Sequence, residues 1–365
     1  MEKKIDPWSN DLMVDYQKLF DDFGMQKMNK KLLSRIPSPS RLFRRGIVFG
    51  HRDFDKFITA YEKGEPRAVM SGIKPSGDFH LGHKLTAEEM IFMQSAFKAK
   101  VFYGIADLEA YADNGVPLEE AHEIAVSNLA DMLALGLDPD NAFVYKQSEE
   151  KRVMNLAYLF ARRTTTATLR ALYGDRNIGL YFSCLTQAGD ILLPEMKEFS
   201  GPKHVVVPVG VDQDPHIRLT RDIAQKFNSD FGFISPAATY HRTFRALNGE
   251  TKMSKRDPMN MLSLSDEPKL ARKKIMRAFT GGKPTVEEQK KTGGDVEKCV
   301  VFELFTYHFE EDDGKLAERR KKCLAGGIMC GECKKDLADA VEAYLKKHQE
   351  KKKKLLPKAR EMLEK

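Results

Sequence analysis

The architecture of this chain follows from one stretch, Ser71-Gly72-Ile73-Lys74-Pro75-Ser76-Gly77-Asp78-Phe79-His80-Leu81-Gly82-His83. An apolar run from Ala68 to Ser71 leads into it and a helical run from Lys84 to Met93 follows. The stretch is therefore a turn from a buried strand into a helix. Its glycines allow that turn to be tight. His80 and His83 then fall on the first helical turn, three residues apart and on one face.

This turn has the features of a site for the triphosphate of ATP. Unpaired backbone amides and the helix dipole favour an anion at a helix N-terminus, and two imidazole donors join them there. A side chain at Gly82 would also obstruct the approach of an adenine or ribose. An isolated histidine pair at this spacing is more often a surface feature or part of a metal site, but the strand-turn-helix context favours phosphate binding. The candidate ATP-binding residues of the turn are Ser71, Gly72, Pro75 and Gly82.

A second candidate for phosphate chemistry is the basic segment Lys252-Met253-Ser254-Lys255-Arg256. Two lysines around a serine in a loop can clamp a departing pyrophosphate, whose charge develops only as the α-phosphorus is attacked. Met253 belongs to the same candidate ATP site. The segment follows the last predicted strand, and a doubly wound fold can return it to the crevice beside the histidine turn.

Working outward from the turn, short apolar runs alternate with helical stretches, which is typical of parallel βαβ units. The predicted strands cover residues 68–71, 101–106, 143–146, 205–209 and 239–241. The expected fold class is α/β: a Rossmann-like doubly wound parallel sheet with a helical insertion, plus a C-terminal α-helical domain.

The chain divides into three predicted parts. Its 365 residues, 42% of them hydrophobic, are enough for one large core and a smaller second domain. Helical periodicity marks Leu12 to Phe23 and Phe54 to Tyr61 near the start. The parts are an N-terminal appendage at 1–65, a catalytic domain at 66–262 with a helical insertion at about 149–203, and a helical anticodon-binding domain at 263–365.

The net charge of +7 is compatible with nucleic-acid binding and with binding of small anions. Basic residues crowd the C-terminal end, where a solvated helix face and an RNA contact explain them equally well: Lys346, Lys347, Lys351, Lys352, Lys353, Lys354, Lys358 and Arg360. No apolar run approaches the roughly 20 residues that cross a bilayer, and Met1 to Pro7 lacks the apolar stretch of a secretory signal. We therefore expect a cytoplasmic protein without a membrane span.

Together, His80-Leu81-Gly82-His83 and the lysine segment at 252–256 resemble the HIGH and KMSKS signatures of class I aminoacyl-tRNA synthetases. The departure is Arg256, where the family usually has a small residue. A third segment runs from Val209 to Asp222 and contains Gly210-Val211-Asp212-Gln213-Asp214-Pro215. It is similar to the G-x-D-Q-D-P-x-x-R-x-T-R-D stretch of tryptophanyl-tRNA synthetases of the archaeal and eukaryotic branch. Further similar stretches lie at 44–53, 281–289 and 310–313.

This resemblance implies a two-step reaction in a homodimer. L-tryptophan would be activated with ATP and Mg²⁺ to tryptophanyl-adenylate and then transferred to tRNA(Trp), which the helical domain would bind at the anticodon. Gly210 and Asp212 would meet the ribose, and Gln187 and Gln213 would hold the substrate α-amino group. Glu109 would accept the indole N–H, since a buried carboxylate is a strong acceptor for this donor-only ring.

The amino-acid pocket departs from the family pattern at two positions. Met70, in the tryptophan-binding set, stands where many relatives have tyrosine, and Gly104 stands where glutamine is usual. These departures keep tyrosyl-tRNA synthetase open as a rival reading, although its phenol pocket normally needs a tyrosine that the first strand lacks. A small-molecule nucleotidyltransferase and a non-catalytic tRNA-binding paralogue also remain compatible with the sequence.

Four of the five cysteines have a spacing that suits a tetrahedral thiolate site: Cys299, Cys323, Cys330 and Cys333. Some tryptophanyl-tRNA synthetases have a similar pattern and hold a 4Fe-4S cluster in this domain. Zn²⁺ would satisfy the same ligands. Four reduced cysteines without metal are an equally good explanation, because spacing cannot show that the thiols converge.

Overall fold

The computed structural model describes residues 5–8 and 16–364 of the protein, apart from the side chain of Asp22. Seven strands form one sheet in the order β1-β2-β7-β6-β3-β4-β5. The strands are β1 (Gln26–Lys27), β2 (Val48–Arg52), β3 (Arg67–Ile73), β4 (Lys100–Ile105), β5 (Ala142–Lys146), β6 (His204–Gly210) and β7 (Ala237–His241).

The five strands from β3 to β7 are parallel and confirm the predicted doubly wound sheet. From β3 the chain proceeds outward to β4 and β5, and then returns to build β6 and β7 on the other side of β3. The strand order therefore reverses between β3 and β6. In open α/β sheets, ligands bind in the crevice at the carboxyl ends of the two strands that flank such a reversal.

Helices cover both faces of this sheet, and further helices form the C-terminal part of the described chain. They are α1 (Gln17–Phe23), α2 (Lys30–Leu33), α3 (Arg41–Arg44), α4 (Phe54–Glu62), α5 (Leu81–Ala96), α6 (Asp107–Asn114), α7 (Leu118–Leu135), α8 (Lys151–Ala161), α9 (Thr166–Tyr173), α10 (Ile178–Leu192), α11 (Asp214–Lys226), α12 (Asn228–Phe231), α13 (Pro268–Arg277), α14 (Val286–Thr292), α15 (Val300–Leu304), α16 (Asp313–Leu324) and α17 (Cys330–Leu363). Strand β3 sends Val69 and Ile73 into one hydrophobic core and Ala68 and Met70 into the other. This alternation is what a strand covered on both faces requires.

The N-terminal segment adds two strands that the sequence patterns did not predict. Strand β2 pairs antiparallel with β7, and β1 pairs antiparallel with β2, so this segment extends the same sheet. The predicted helix at Phe54 to Tyr61 corresponds to α4. Of the helical pattern from Leu12 to Phe23, α1 covers the end, while residues 12–15 lie outside the described residues. The boundary at residue 65 stays a prediction.

Beyond β7 the described chain up to residue 364 contains helices and loops but no further strand. Helix α17 packs along α13 and then along α7 beside the sheet. Its lysine-rich end is partly structural, because Lys352 is buried and its Nζ lies 2.7 Å from Asp131 Oδ2 of α7. None of the described helices combines the length and the apolar character needed to cross a membrane.

Candidate active site

One cleft of about 500 Å³ lies at the carboxyl ends of β3, β4 and β6. Pro75 is buried in the turn and is the one predicted ATP or tryptophan residue that does not line the cleft. The predicted site residues that line it are Met70, Ser71, Gly72, His80, Gly82, His83, Glu109, Gln187, Gly210, Asp212, Gln213, Lys252, Met253, Ser254 and Lys255. The fold therefore brings segments that lie far apart in the sequence into one crevice.

The two histidines form the N-terminal cap of α5. Nδ1 of His80 accepts the backbone N–H of Gly82 at 3.0 Å, and Nδ1 of His83 accepts the backbone N–H of His80 at 3.2 Å. Their rings stack with centroids 3.7 Å apart. A Cβ at Gly82 would come within 2.8 Å of the His80 ring, so glycine is needed there to admit the cap itself.

Burial favours the neutral form of both rings. Burial, together with Lys255 and Lys252, lowers the pKa of His80 to about 3. Burial and the adjacent His80 hold the pKa of His83 well below its ordinary value. Because each Nδ1 accepts a backbone N–H, the ring proton is assigned to Nε2. The pair can thus donate hydrogen bonds to a phosphate without carrying charge.

The lysine segment meets the histidine turn directly. Nζ of Lys255 donates to the backbone oxygen of Lys74 at 3.1 Å, within the turn that precedes His80. Nζ of Lys252 lies 2.9 Å from Oδ2 of Asp212, at the end of β6. Burial alone would raise the pKa of Asp212, but the ion pair with Lys252 outweighs it and lowers that pKa. The two predicted signature segments therefore line the same cleft and contact each other.

The pKa of Lys255 lies close to neutral pH. Burial, with a smaller contribution from the nearby Lys74, lowers the pKa of its ammonium group to about 7, while Asp78 opposes the change. A group of this kind gains a proton readily when a polyanion arrives.

A buried polar cluster in the cleft was not found from the sequence. Asp190 on α10 accepts hydrogen bonds from Tyr145 Oη at 2.8 Å and from Gln147 Nε2 at 2.6 Å. Asp190 and Gln147 both line the cleft. Burial raises the pKa of Asp190 to about 7, and the two hydrogen bonds oppose that rise. Oε1 of Gln147 is buried and has no hydrogen-bond partner in the described chain. No motif marks these residues, but Asp190 stands one helical turn after Gln187, which was predicted.

The same cluster explains the unusual Gly104. A Cβ at this position would lie 3.1 Å from Tyr145 Oη and 3.6 Å from Asp190 Oδ1. The space that a larger residue of β4 would fill is thus occupied by polar groups of β5 and α10. Met70 of β3 lies at the border of this pocket and is 4% exposed.

Glu109 has an unexpected neighbour. Trp8, the single tryptophan of the chain, lines the cleft, and its Nε1 donates to Oε1 of Glu109 at 3.4 Å. Its ring also packs edge-on against Tyr173 and His216, at 5.6 and 5.7 Å between centroids. The carboxylate of Glu109 therefore already faces an indole N–H, one supplied by the chain itself.

The four cysteines of the helical domain lie in one neighbourhood. Burial raises the pKa of the Cys323 thiol, and the nearby Cys299 and Cys330 raise it further. A Cβ at Gly282 would meet Cys330 Sγ at 2.6 Å, so the loop before α14 packs directly on this group. Among the residues that the structure describes, however, no three potential ligands are arranged to hold a metal ion.

Comparison with known proteins matches residues 62–346 to the family of class I tRNA synthetases for tryptophan and tyrosine (W and Y). A tryptophan-tRNA ligase from Methanopyrus kandleri is 44% identical, over 93% of this chain and 91% of that protein. One from Aeropyrum pernix is 43% identical over 95% and 94%. The crystal structure of tryptophanyl-tRNA synthetase from A. pernix superposes with a TM-score of 0.92, at 42% identity and with 96% of each chain covered. The chain is therefore a member of the class I tRNA synthetase family that serves tryptophan and tyrosine.

Proposed function

We infer that this protein is a tryptophan-tRNA ligase, an enzyme that activates L-tryptophan with ATP and transfers it to tRNA(Trp). The observation that carries this inference is the contact between the histidine turn and the lysine loop across one cleft. Relatives called tryptophan-tRNA ligases that align over nearly the whole chain support tryptophan rather than tyrosine.

In the first step, the tryptophan carboxylate attacks the α-phosphorus of ATP in line, and pyrophosphate leaves. Catalysis by this chain then consists of positioning and of stabilising charge. We assign the Nε2–H groups of His80 and His83 to hydrogen bonds with the phosphates. Lys252 and Lys255, with Ser254 between them, neutralise the negative charge that develops on the departing pyrophosphate.

Mg²⁺ would neutralise phosphate charge in this step when bound. It would enter the site together with the phosphates of ATP. For the nucleotide itself, we assign Ser71, Gly72, Gly82 and Met253 to the ATP site, and the buried Pro75 to the turn that supports it. Gly210 and Asp212 at the end of β6 would meet the ribose.

The amino acid would bind beside the adenosine, toward α10. We assign Gln187 and Gln213 to the α-amino group, with Met70 against the side chain. Two acceptors compete for the indole N–H: Glu109, as the family resemblance implies, and the Asp190 carboxylate with Gln147. We favour Asp190, because Glu109 faces Trp8 and also lies 3.7 Å from Lys74 Nζ.

In the second step, a terminal ribose hydroxyl of the tRNA attacks the carbonyl carbon of the adenylate, and AMP leaves. We propose that residues 263–365 bind the anticodon, and that the exposed lysines of α17 contribute to RNA affinity by neutralising phosphates. We also propose that the enzyme acts in the cytoplasm, where tRNA is charged for translation.

A homodimer is supported by apolar side chains on the surface of the helical insertion. Tyr158 on α8 is 76% exposed and Ile178 at the start of α10 is 84% exposed, and the two helices pack together. We propose that these side chains are buried against a second copy of the chain. Light scattering should give twice the chain mass, and the double variant Tyr158→Ser/Ile178→Ser should give one chain mass.

A metal site on Cys299, Cys323, Cys330 and Cys333 remains a proposal. The shared neighbourhood of the thiols and the glycine packing around Cys330 support it, and the thiols would have to move closer to bind an ion. Iron and zinc analysis of protein purified without oxygen tests it. An absence of both metals in stoichiometric amount would leave four reduced cysteines.

ATP-pyrophosphate exchange with each of the twenty amino acids tests the function. We expect exchange with tryptophan alone and its loss in His83→Ala. Exchange with tyrosine alone would establish tyrosine specificity, and exchange with none would support a tRNA-binding protein without activity.

A further inference from the structure

The lysine segment begins in the second arm of a small hairpin. The backbone N–H of Ala246 donates to Thr251 O, and that of Met253 donates to Phe244 O, both at 2.8 Å. Arg245 and Lys252 lie opposite each other between these bonds. The backbone of Arg245 therefore fixes the position of the Lys252 backbone, from which the Lys252 side chain extends.

Arg245 is held from outside the catalytic domain. Its Nε and its backbone N–H both donate to the carboxylate of Glu303 on α15, the latter at 3.0 Å, and Nη2 donates to the Glu297 backbone oxygen at 2.8 Å. The Glu303 side chain is only 8% exposed. A buried carboxylate that accepts from both the backbone and the side chain of one residue has little freedom, so the position of α15 is transmitted to the hairpin.

A second contact joins the same segment to the hairpin. His308, in the π-helical turn that follows α15, packs edge-on against Phe244 with centroids 5.1 Å apart. Its Nδ1 also lies 3.4 Å from Nζ of Lys84, the residue after His83. Phe244 lines the cleft. One short segment of the helical domain thus contacts both Phe244 in the hairpin and Lys84 next to His83.

We propose that Glu303 and Arg245 are a positioning pair for Lys252, through which the helical domain sets the geometry of the pyrophosphate-binding loop. The kinetic consequences of this role depend on the proposed function. Neither residue lines the cleft. Their effect is on the placement of Lys252 against the departing phosphates, and displacement of such a group by about 1 Å can cost about 100-fold in rate.

The test compares Glu303→Gln with Glu297→Gln. Both remove one carboxylate from the same region, but the Glu297 side chain pairs with Arg320 on the surface and not with Arg245. In ATP-pyrophosphate exchange, Glu303→Gln should lower kcat/KM for ATP by about 10- to 100-fold while the KM for tryptophan changes less than about twofold. Arg245→Gln should cause a similar loss in kcat/KM for ATP. In the double variant this kcat/KM should be no lower than in either single variant.

A second readout does not depend on any amino acid. Trypsin should cleave after Lys252, Lys255 and Arg256 several-fold faster in Glu303→Gln than in Glu297→Gln, with circular dichroism showing both folded. Equal cleavage, or equal losses for ATP and tryptophan, overturns the proposal. If the wild-type protein exchanged with no amino acid, the proposed function would fail, and the cleavage comparison would still decide the role of the pair.

Discussion

At the scale of single residues, we predict that the charge of Lys255 couples ATP binding to pH. Its pKa is about 7 in the free enzyme, and bound phosphates favour the ammonium form, so ATP binding takes up a proton. The KM for ATP should therefore be lowest below pH 7 and should rise as pH increases to 9, with the KM for tryptophan nearly constant. In Lys255→Arg the charge does not titrate, and the rise should disappear. Parallel profiles for the two proteins would contradict this role.

A second residue-scale prediction concerns the indole acceptor. Asp190→Asn should raise the KM for tryptophan by about 10- to 100-fold, the usual loss for a hydrogen bond to a charged group. Exchange assays with 3-benzothienyl-L-alanine, in which sulfur replaces the N–H, isolate this bond. The wild type should discriminate strongly against the analogue, and Asp190→Asn should discriminate less. If Glu109→Gln removes the discrimination instead, the acceptor is Glu109.

Residues that belong to local motifs could be predicted from the sequence, and residues that meet only in three dimensions could not. His80, His83 and Lys252 were predicted because each follows a strand end in a recognisable pattern. Asp190 and Gln147 come from an ordinary helix and from the end of an edge strand, so nothing local marks them. Trp8 lies in the N-terminal segment and donates a hydrogen bond to Glu109. No periodicity or motif in the sequence links this segment to the site.

At the scale of elements, helix α5 contains a buried acidic residue, Glu89, on the C-terminal side of the histidine cap. Burial raises the pKa of Glu89 to about 8 from an ordinary value of 4.5. The native state therefore keeps a proton that the unfolded chain has released, so this group makes stability fall as pH rises from about 4.5 to 8. Glu89→Gln should raise Tm by several degrees at pH 8 and by much less at pH 5. The exposed Glu119→Gln is the matched control, and a pH-independent difference for Glu89→Gln would refute the assignment.

The elements that could be predicted were those that stand out as apolar runs. Strands β3, β4, β6 and β7 are buried along most of their length, and the edge strand β5 is partly buried, so the sequence marks them by their apolar residues. Strand β2 contains Gly50, His51 and Arg52, and β1 is only two residues long. Their pairing depends on the edge that β7 exposes, which is a tertiary property.

At the scale of the whole molecule, the N-terminal and helical parts are joined to the catalytic domain by charged side chains. Nη1 of Arg41 lies 2.6 Å from Glu311, and its Nη2 lies 2.6 Å from Glu88 of α5. Arg45 of the same segment pairs with Asp313. The segments at 44–53 and 310–313, noted for family resemblance, thus meet at one interface. The helical domain is therefore attached both by this cluster, which contacts α5, and by α17, which packs along α7.

The buried carboxylate of Asp131 on α7 should contribute much of the stability of the contact between α7 and α17. It is fully buried and lies 2.8 Å from His348 Nε2 and 2.7 Å from Lys352 Nζ. Asp131→Ala leaves both groups buried without their partner, which typically costs about 3–5 kcal/mol. Urea unfolding followed by circular dichroism should show this loss, whereas Glu123→Ala, which removes an exposed pair with Arg360 between the same helices, should change stability little. Because α17 also packs on α13, Asp131→Ala should in addition raise the KM for tRNA more than the KM for tryptophan. Equal effects of the two substitutions would mean that apolar packing alone holds this helix in place.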